Sequence, residues 1–385
     1  MTSTRQWWRR ATAAAKDKWS ICVTRAMGAR RLYRRSPEME AAVIRATSHD
    51  ERSVDYKNAG RVFAWARAAP SSLLASLMWS VARRASRTRS WSVALKCLLL
   101  AHGLILCSHD APPAARIGRL PFDLSDFHDR YSDSPGFSAF IRAYFRFLDH
   151  RSLLPALKGS APASPVSETE EDRDGNGDDD LERLESLQLL LDLLMQIRPY
   201  ADGMEVELVL EAMDCAVIEI FDVYSGICSG IAHFLVGVLG PDPAKPEATT
   251  TTEAMKRRRA AGMQVLRRAR AQSAQLSAYF DLCRALGVLN AAELPPVEGI
   301  PEQDMDDIER MMLCITQESD DEAEDRNRKT PEGGSMTATA GEWVVFEDES
   351  HSVNSILDFP EMWAAPVEKP GPTISNGNLR DLISL

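Results

Sequence analysis

Four cations fall close together in the first part of the chain: Arg45, Arg52, Lys57 and Arg61. Arg83, Arg84, Arg87 and Arg89 follow. Where helix ends meet, such groups and backbone N–H donors together can hold a phosphate-bearing headgroup. A scatter of solvated charges fits the same residues. Upstream, Trp8, Ala11, Ala15, Trp19, Cys22 and Ala26 fall on one helical stripe, with Arg5, Arg9, Arg10, Lys16 and Arg25 mainly off it. Residues 1–35 hold ten basic residues and one acid, Asp17. A basic amphipathic helix with tryptophan suits an anionic membrane surface, at about 1 kcal/mol per Lys or Arg. Trp7, Trp8, Arg9 and Arg10 are the expected membrane contacts. The alternative is that the Trp stripe packs on neighbouring helices.

The C-terminal region offers a second kind of chemistry. Trp343 and Phe346 stand three apart, followed by Glu347, Asp348 and Glu349, in a stretch with no core-forming pattern. Exposed aromatics in such a stretch dock into pockets on a partner; incidental apolar residues, or a tail folded back on the helices, are the alternative. Phe359 and Trp363 repeat the arrangement more loosely. The chain ends Leu379-Arg380-Asp381-Leu382-Ile383-Ser384-Leu385.

Catalytic chemistry finds little support. No GxGxxG, P-loop, HExxH or GxSxG motif occurs, and no nucleophile is paired with a base. His49-Asp50-Glu51 fits a turn or cap better than a metal site. His102 and His233 sit in apolar helical runs and read as core histidines. Asp178–Asp180 reads as a solvated charge run. The seven cysteines form no CxxC pair, which suits a reducing compartment. A non-enzyme without metal or cofactor is expected.

The elements that must position these residues are helical throughout. Of 385 residues, 44% are hydrophobic and 7% aromatic, with a formal charge of −11. That charge is uneven. Residues 1–158 carry 27 basic and 12 acidic groups; residues 159–385 carry 18 and 44. Such asymmetry suits a surface aimed at an anionic partner and an acidic tail. The +15 half lacks the aromatic-interleaved groove or reader motif of a nucleic-acid binder, so no nucleic acid is expected. The basic N-terminus has no apolar core of a signal peptide. No run approaches the roughly 18 apolar residues of a span, because His102 and His233 interrupt the two candidates. The expectation is a cytoplasmic protein.

Ser36-Pro37-Glu38 signals a helix start, and that helix runs to about Thr47. Ser53 is the expected cap of the next, and Pro70 its stop. Further stripes run through Leu73–Val81, Trp91–His102 and Phe137–Leu148. These short helices predict a right-handed stack over 37–154. Leu181, Leu184, Leu187, Leu191 and Leu194 mark a helix ended by Pro199. Apolar positions from Val209 to Val238 then alternate three and four apart, as in antiparallel bundles. That predicts a helix of about 36 residues, roughly 54 Å, with a partner over Thr252 to Leu286. Residues 155–180 and 317–385 cannot bury enough apolar surface to order themselves. The fold class is therefore all-α: 1–36 a basic amphipathic helix region, 37–154 a helical solenoid, 155–180 a disordered acidic insert, 181–316 long antiparallel helices, and 317–385 a disordered tail.

Three stretches carry a family resemblance: AAVIRATSHDE, RTRSWSVALKCLLLAHGLIL and GFSAFIRAYFRFLDH. In this order they resemble the ANTH domain of clathrin assembly proteins, a relative of the ENTH and VHS solenoids. GRLPFDLSDF and SVDYKNAGRVFAW look like the plant members. The resemblance covers about residues 1–315. It implies an endocytic adaptor that binds phosphatidylinositol 4,5-bisphosphate on the solenoid and clathrin and adaptor complexes through the tail. Some members also sort SNAREs. The place implied is clathrin-coated pits and vesicles, with the Golgi as a further membrane. Under it, the Trp343-Phe346-Glu347 string resembles peptides that bind adaptor appendage domains. Leu382, Ile383 and Leu385 look like a clathrin box for the clathrin heavy chain, with the terminal carboxylate standing where an acid belongs.

The family's lipid motif is a Lys, nine residues, then Lys-x-Lys-His. Carried onto this chain, Arg45 takes the first place and Asp55-Tyr56-Lys57-Asn58 the cluster. Arg45 and Lys57 keep the charge; Asp55 and Asn58 depart from it. The resemblance thus implies weaker or less selective lipid binding, offset by Arg52, Arg61 and the N-terminal helix. A helical scaffold for protein partners such as SNAREs, with no lipid role, is the rival reading.

Overall fold

The computed structural model describes Asp17, Lys18, Ser20, Ile21, then residues 37–108, 111, 116–131, 134–154, 173–239, 251–293, 297 and 301–311. Among them there is no strand. The helices are α1 (Pro37–Ala46), α2 (Tyr56–Ala68), α3 (Pro70–Ala85), α4 (Trp91–Ser108) and α5 (Pro135–Leu153). Then come α6 (Arg173–Met195), α7 (Glu207–Leu239) and α8 (Thr251–Leu286), a 3₁₀ turn at Leu289–Glu293 and a helix over 302–311. Ser36 and the tail from 312 lie outside the described residues.

Successive short helices pack on one another around α4. Its near-complete burial, from Trp91 to Ile105, explains why its sequence is apolar on every face. By length and hydropathy α4 would pass for a membrane span, contrary to the sequence expectation. Burial of 94% inside the fold accounts for it instead. Glu207–Gly237 of α7 passes the same test. It packs against α6, α8 and α4, and buries Asp214 and Glu219 in mid-helix. Trp91 stacks on Phe137 of α5 at 4.2 Å between ring centres, fixing the fourth helix to the fifth.

The boundaries differ from expectation in three places. Asp55, not Ser53, caps α2, accepting from the Asn58 backbone N–H at 3.1 Å. An aspartate one residue before the helix satisfies a free N–H that Ser53 is placed too early to reach. Pro70 ends α2 but also begins α3, where its missing N–H costs nothing. Finally, α6 begins at Arg173, inside the stretch expected to be disordered to residue 180. The Leu stripe from 181 is buried against α7 and α8, and the helix continues upstream of it to Arg173.

The three long helices pack closely because glycines let them. On α7, Gly226 faces Leu187 and Gly230 faces Leu184 of α6. Rising numbers on one helix meet falling numbers on the other, so the two are antiparallel. Gly262 of α8 lies under Phe234 of α7, and Phe221 stacks with Phe280, again antiparallel. α7 is 33 residues, about 50 Å long. Gln188 donates to the Val265 carbonyl at 2.8 Å, and Gln272 to Gln188 and Asp192, which binds α6 to α8. A small second cluster of Leu181, Leu184, Phe234, Met263, Val265, Leu266 and Met305 closes the far end.

His102 is a core histidine, as expected. Its Nδ1 meets the Tyr144 hydroxyl at 3.0 Å and its Nε2 meets Glu219 at 3.4 Å. Glu219 also pairs with the Arg151 guanidinium, and all three groups are buried. His233 contradicts the expectation. Its side chain is 77% exposed, with Asp180 at 3.7 Å. The apolar run that surrounds it lies near the end of α7, where Phe234 is buried in the packed cluster and Ile231 and Leu235 lie against it, while His233 faces away.

Candidate functional site

The last turn of α1, the loop after it and the first turns of α2 form one continuous segment. Arg45, half-buried, lies in the last turn of α1. Arg52 is exposed in the loop, where its backbone N–H donates to Asp50 at 3.2 Å. Lys57 and Arg61 are exposed on α2, and the Arg61 guanidinium sits 5.1 Å from the centre of the Trp65 ring. Among the described residues none of these four cationic groups is in an ion pair.

The two departures from a basic cluster have a shared structural role. The Asp55 carboxylate accepts from the Asn58 backbone and, at 2.6 Å, from the Asn58 side-chain amide. Asp55 therefore directs its charge to capping α2, and Asn58 is buried behind it. A lysine at 55 would forfeit the cap, and a lysine at 58 would lose the side-chain amide bond that braces it.

The second basic set is divided. Arg83 pairs with Glu40 at 2.9 Å. Arg84 donates to the Thr47 carbonyl at 2.7 and 3.1 Å and to Asp17 at 2.7 Å. Arg87 and Arg89 are exposed. Asp17 also accepts from the His49 backbone N–H at 3.0 Å, and its other oxygen lies 2.8 Å from His49 Nδ1. Burial raises the Asp17 carboxyl, but the His49 and Arg84 bonds outweigh it and hold the group below its usual range. His49 is thus a tether between segments, and among the described residues no three His, Cys, Asp or Glu side chains gather as metal ligands.

Beneath the loop lies a residue that sequence reading passed over. Lys96 of α4 is 2% exposed, and its ammonium reaches Ser48 Oγ at 3.4 Å. Burial pushes it down to about 8, against the pull of Asp50, Glu211, Asp17 and Asp55. The Tyr56 hydroxyl bonds Glu211 of α7, and burial raises the Glu211 carboxyl. The available signal was one lysine inside an otherwise apolar run, WSVALKCLLL. Trp7, Trp8, Arg9, Arg10, Trp343, Phe346, Glu347, Leu382, Ile383 and Leu385 lie outside the described residues.

These features define a class: a helical solenoid whose core continues into long antiparallel helices, with cations at the α1–α2 turn that are in no ion pair among the described residues. The model of the ANTH domain matches residues 38–313, and the chain belongs to the ANTH domain family. Its relatives include three Arabidopsis thaliana proteins. "Putative clathrin assembly protein At1g25240" is 42% identical, covering 79% of this chain and 76% of its own length. "Putative clathrin assembly protein At1g68110" is 37% identical, covering 89% of this chain and 88% of its own length. At2g01920, likewise so described, is 32% identical over 91% and 98%.

Proposed function

We propose that this chain is a non-enzymatic adaptor that attaches to anionic, phosphoinositide-containing membrane through its α1–α2 end and helps assemble clathrin coats. One observation carries the membrane half. Arg45, Arg52, Lys57 and Arg61 lie in a single segment and in no ion pair among the described residues, whereas neighbouring Arg83 and Arg84 are bound to carboxylates. Unneutralised cations held close together attract phosphate. The shared description of the relatives as clathrin assembly proteins supports the coat half.

Trp7, Trp8, Arg9 and Arg10 add membrane contact in this reading. The tail adds low-affinity peptide contacts: Trp343, Phe346 and Glu347 to adaptor appendage domains, and Leu382, Ile383 and Leu385 to the clathrin heavy chain. Avidity on a coat lattice makes their sum useful. Flotation with vesicles tests the membrane half. Arg45→Glu with Lys57→Glu is expected to abolish capture at moderate salt; capture indifferent to both the lipid and the substitutions refutes it. Deletion of 379–385 is expected to cut capture of the clathrin propeller domain, and unchanged capture removes that part.

A second reading is a scaffold for helical protein partners such as SNAREs, without lipid binding. The commitment of Asp55 and Asn58 to a helix cap favours it. The same flotation experiment separates the two.

A further inference from the structure

We infer that His49, Arg84 and Lys96 form an anion site in which the Asp17 carboxylate occupies the place of a phosphate. Three elements converge there: the loop after α1, the end of α3 and the middle of α4. Arg84 Nη2 donates to Asp17 at 2.7 Å, and the His49 backbone N–H donates at 3.0 Å. His49 Nδ1 lies 2.8 Å from the same carboxylate. The Thr47 carbonyl receives two further Arg84 bonds and fixes the guanidinium in place.

Lys96 points to a ligand larger than a carboxylate. An ammonium has three N–H donors, yet among the described residues this one makes a single long bond, to Ser48. A buried cation so poorly satisfied is costly. The carboxylates of Asp50, Glu211, Asp17 and Asp55 act on its charge, and among the described residues none bonds it. A phosphate monoester brings three acceptor oxygens and nearly two negative charges. In the inferred site it engages Arg84 and His49 as Asp17 does, and its additional oxygens are available to the Lys96 ammonium, which Asp17 leaves unbonded. The side chains of Arg84, Asp17 and His49 are 14%, 15% and 19% exposed, so the cluster touches solvent beside the surface cations.

Asp17 is then an internal competitor for the anion. The inference rests on the proposed attachment to anionic headgroups and adds a deeper layer to that site. The shared chemistry is a phosphomonoester, from a lipid headgroup or a free inositol phosphate.

The test uses the full chain with two probes: inositol trisphosphate by calorimetry, and phosphatidylcholine vesicles with and without phosphatidylinositol 4,5-bisphosphate by flotation. Removing a competitor raises the competent fraction, so Asp17→Asn should tighten binding by at least about threefold. Asp17→Asn with Lys96→Met should lose that gain, and thermal melts confirm that both variants fold. A gain in the vesicle arm alone assigns the site to membrane lipid; a gain in the soluble arm alone assigns it to a free inositol phosphate. Asp17→Asn binding no tighter than the parent in both arms, or a gain that survives Lys96→Met, overturns the inference. Arg45→Glu with Lys57→Glu, run alongside, tests the surface reading separately: its failure leaves the Asp17 comparison intact.

Discussion

Glu219→Gln removes a single charge from the junction between α4, α5 and α7. Burial alone would raise the Glu219 carboxyl, but the His102 bond and the Arg151 charge and bond reverse this and hold it at about 2, against an ordinary 4.5. By linkage that difference is worth roughly 3 kcal/mol. The amide leaves the Arg151 guanidinium buried beside a neutral group, and Arg151 Nη1 already has no hydrogen-bond partner among the described residues. Breaking a buried pair from one side costs about 3–5 kcal/mol, so the two routes agree. At an m-value of about 3 kcal/mol/M, the urea midpoint read by circular dichroism should fall by about 1 M or more. The pH dependence has a definite sign. A depressed carboxyl contributes its stability above about 4.5 and loses it as pH falls toward 2, so the gap between parent and variant should narrow over that window. Arg151→Met with Glu219→Leu should recover most of the loss, since two apolar groups leave no charge unpaired. A Glu219→Gln variant within about 1 kcal/mol of the parent, or a gap constant from pH 7 to 3, refutes the reasoning.

Gly262→Ala should destabilise the chain although alanine favours helix: the added Cβ would lie 1.9 Å from Phe234, itself buried, at a cost of about 1–3 kcal/mol. Phe234→Leu in that background should restore part of the melting temperature. Asp55→Ser keeps an N-cap while removing a negative charge, so the melting temperature should barely move and vesicle capture should rise; Asp55→Ala should instead cost about 1 kcal/mol. Lys96→Met should stabilise at pH 7 by up to about 3 kcal/mol, because a lysine held at about 8 rather than 10.5 opposes folding below 8. That gain should vanish as pH rises from 8 to 10.5, as measured by urea midpoints.

Periodicity found the helices because each buries a stripe: Leu184, Leu187, Leu191 and Leu194 are all buried as their spacing required. Failures came where spacing carries no information. His233 shares the apolar surroundings of His102, yet one lies near a helix end and the other at the centre of the core. The difference is set by what packs there, not by local residues. The surface cations were legible from composition and spacing. The bonds of Asp17 to Arg84 and of Arg151 to Glu219 join residues 67 and 68 apart in the chain, and no local pattern announces such a pairing. In sequence Asp55 is only a departure from a basic motif; its cap is visible once the first residue of α2 is fixed.

The enclosure of α4 bears on how the chain is made. Its 18 residues leave the ribosome as a segment as apolar as a membrane span. Synthesis must then proceed from Ser108 to Glu219 before α7 can meet His102. At about 5–20 residues per second, those roughly 110 residues take about 5–20 s. Throughout that interval the core is open on the α7 side, and a nascent chain halted at 154 would hold a solenoid without its last wall. The solenoid and the long helices therefore share one core, and α4 is the segment left open on one side until α7 arrives.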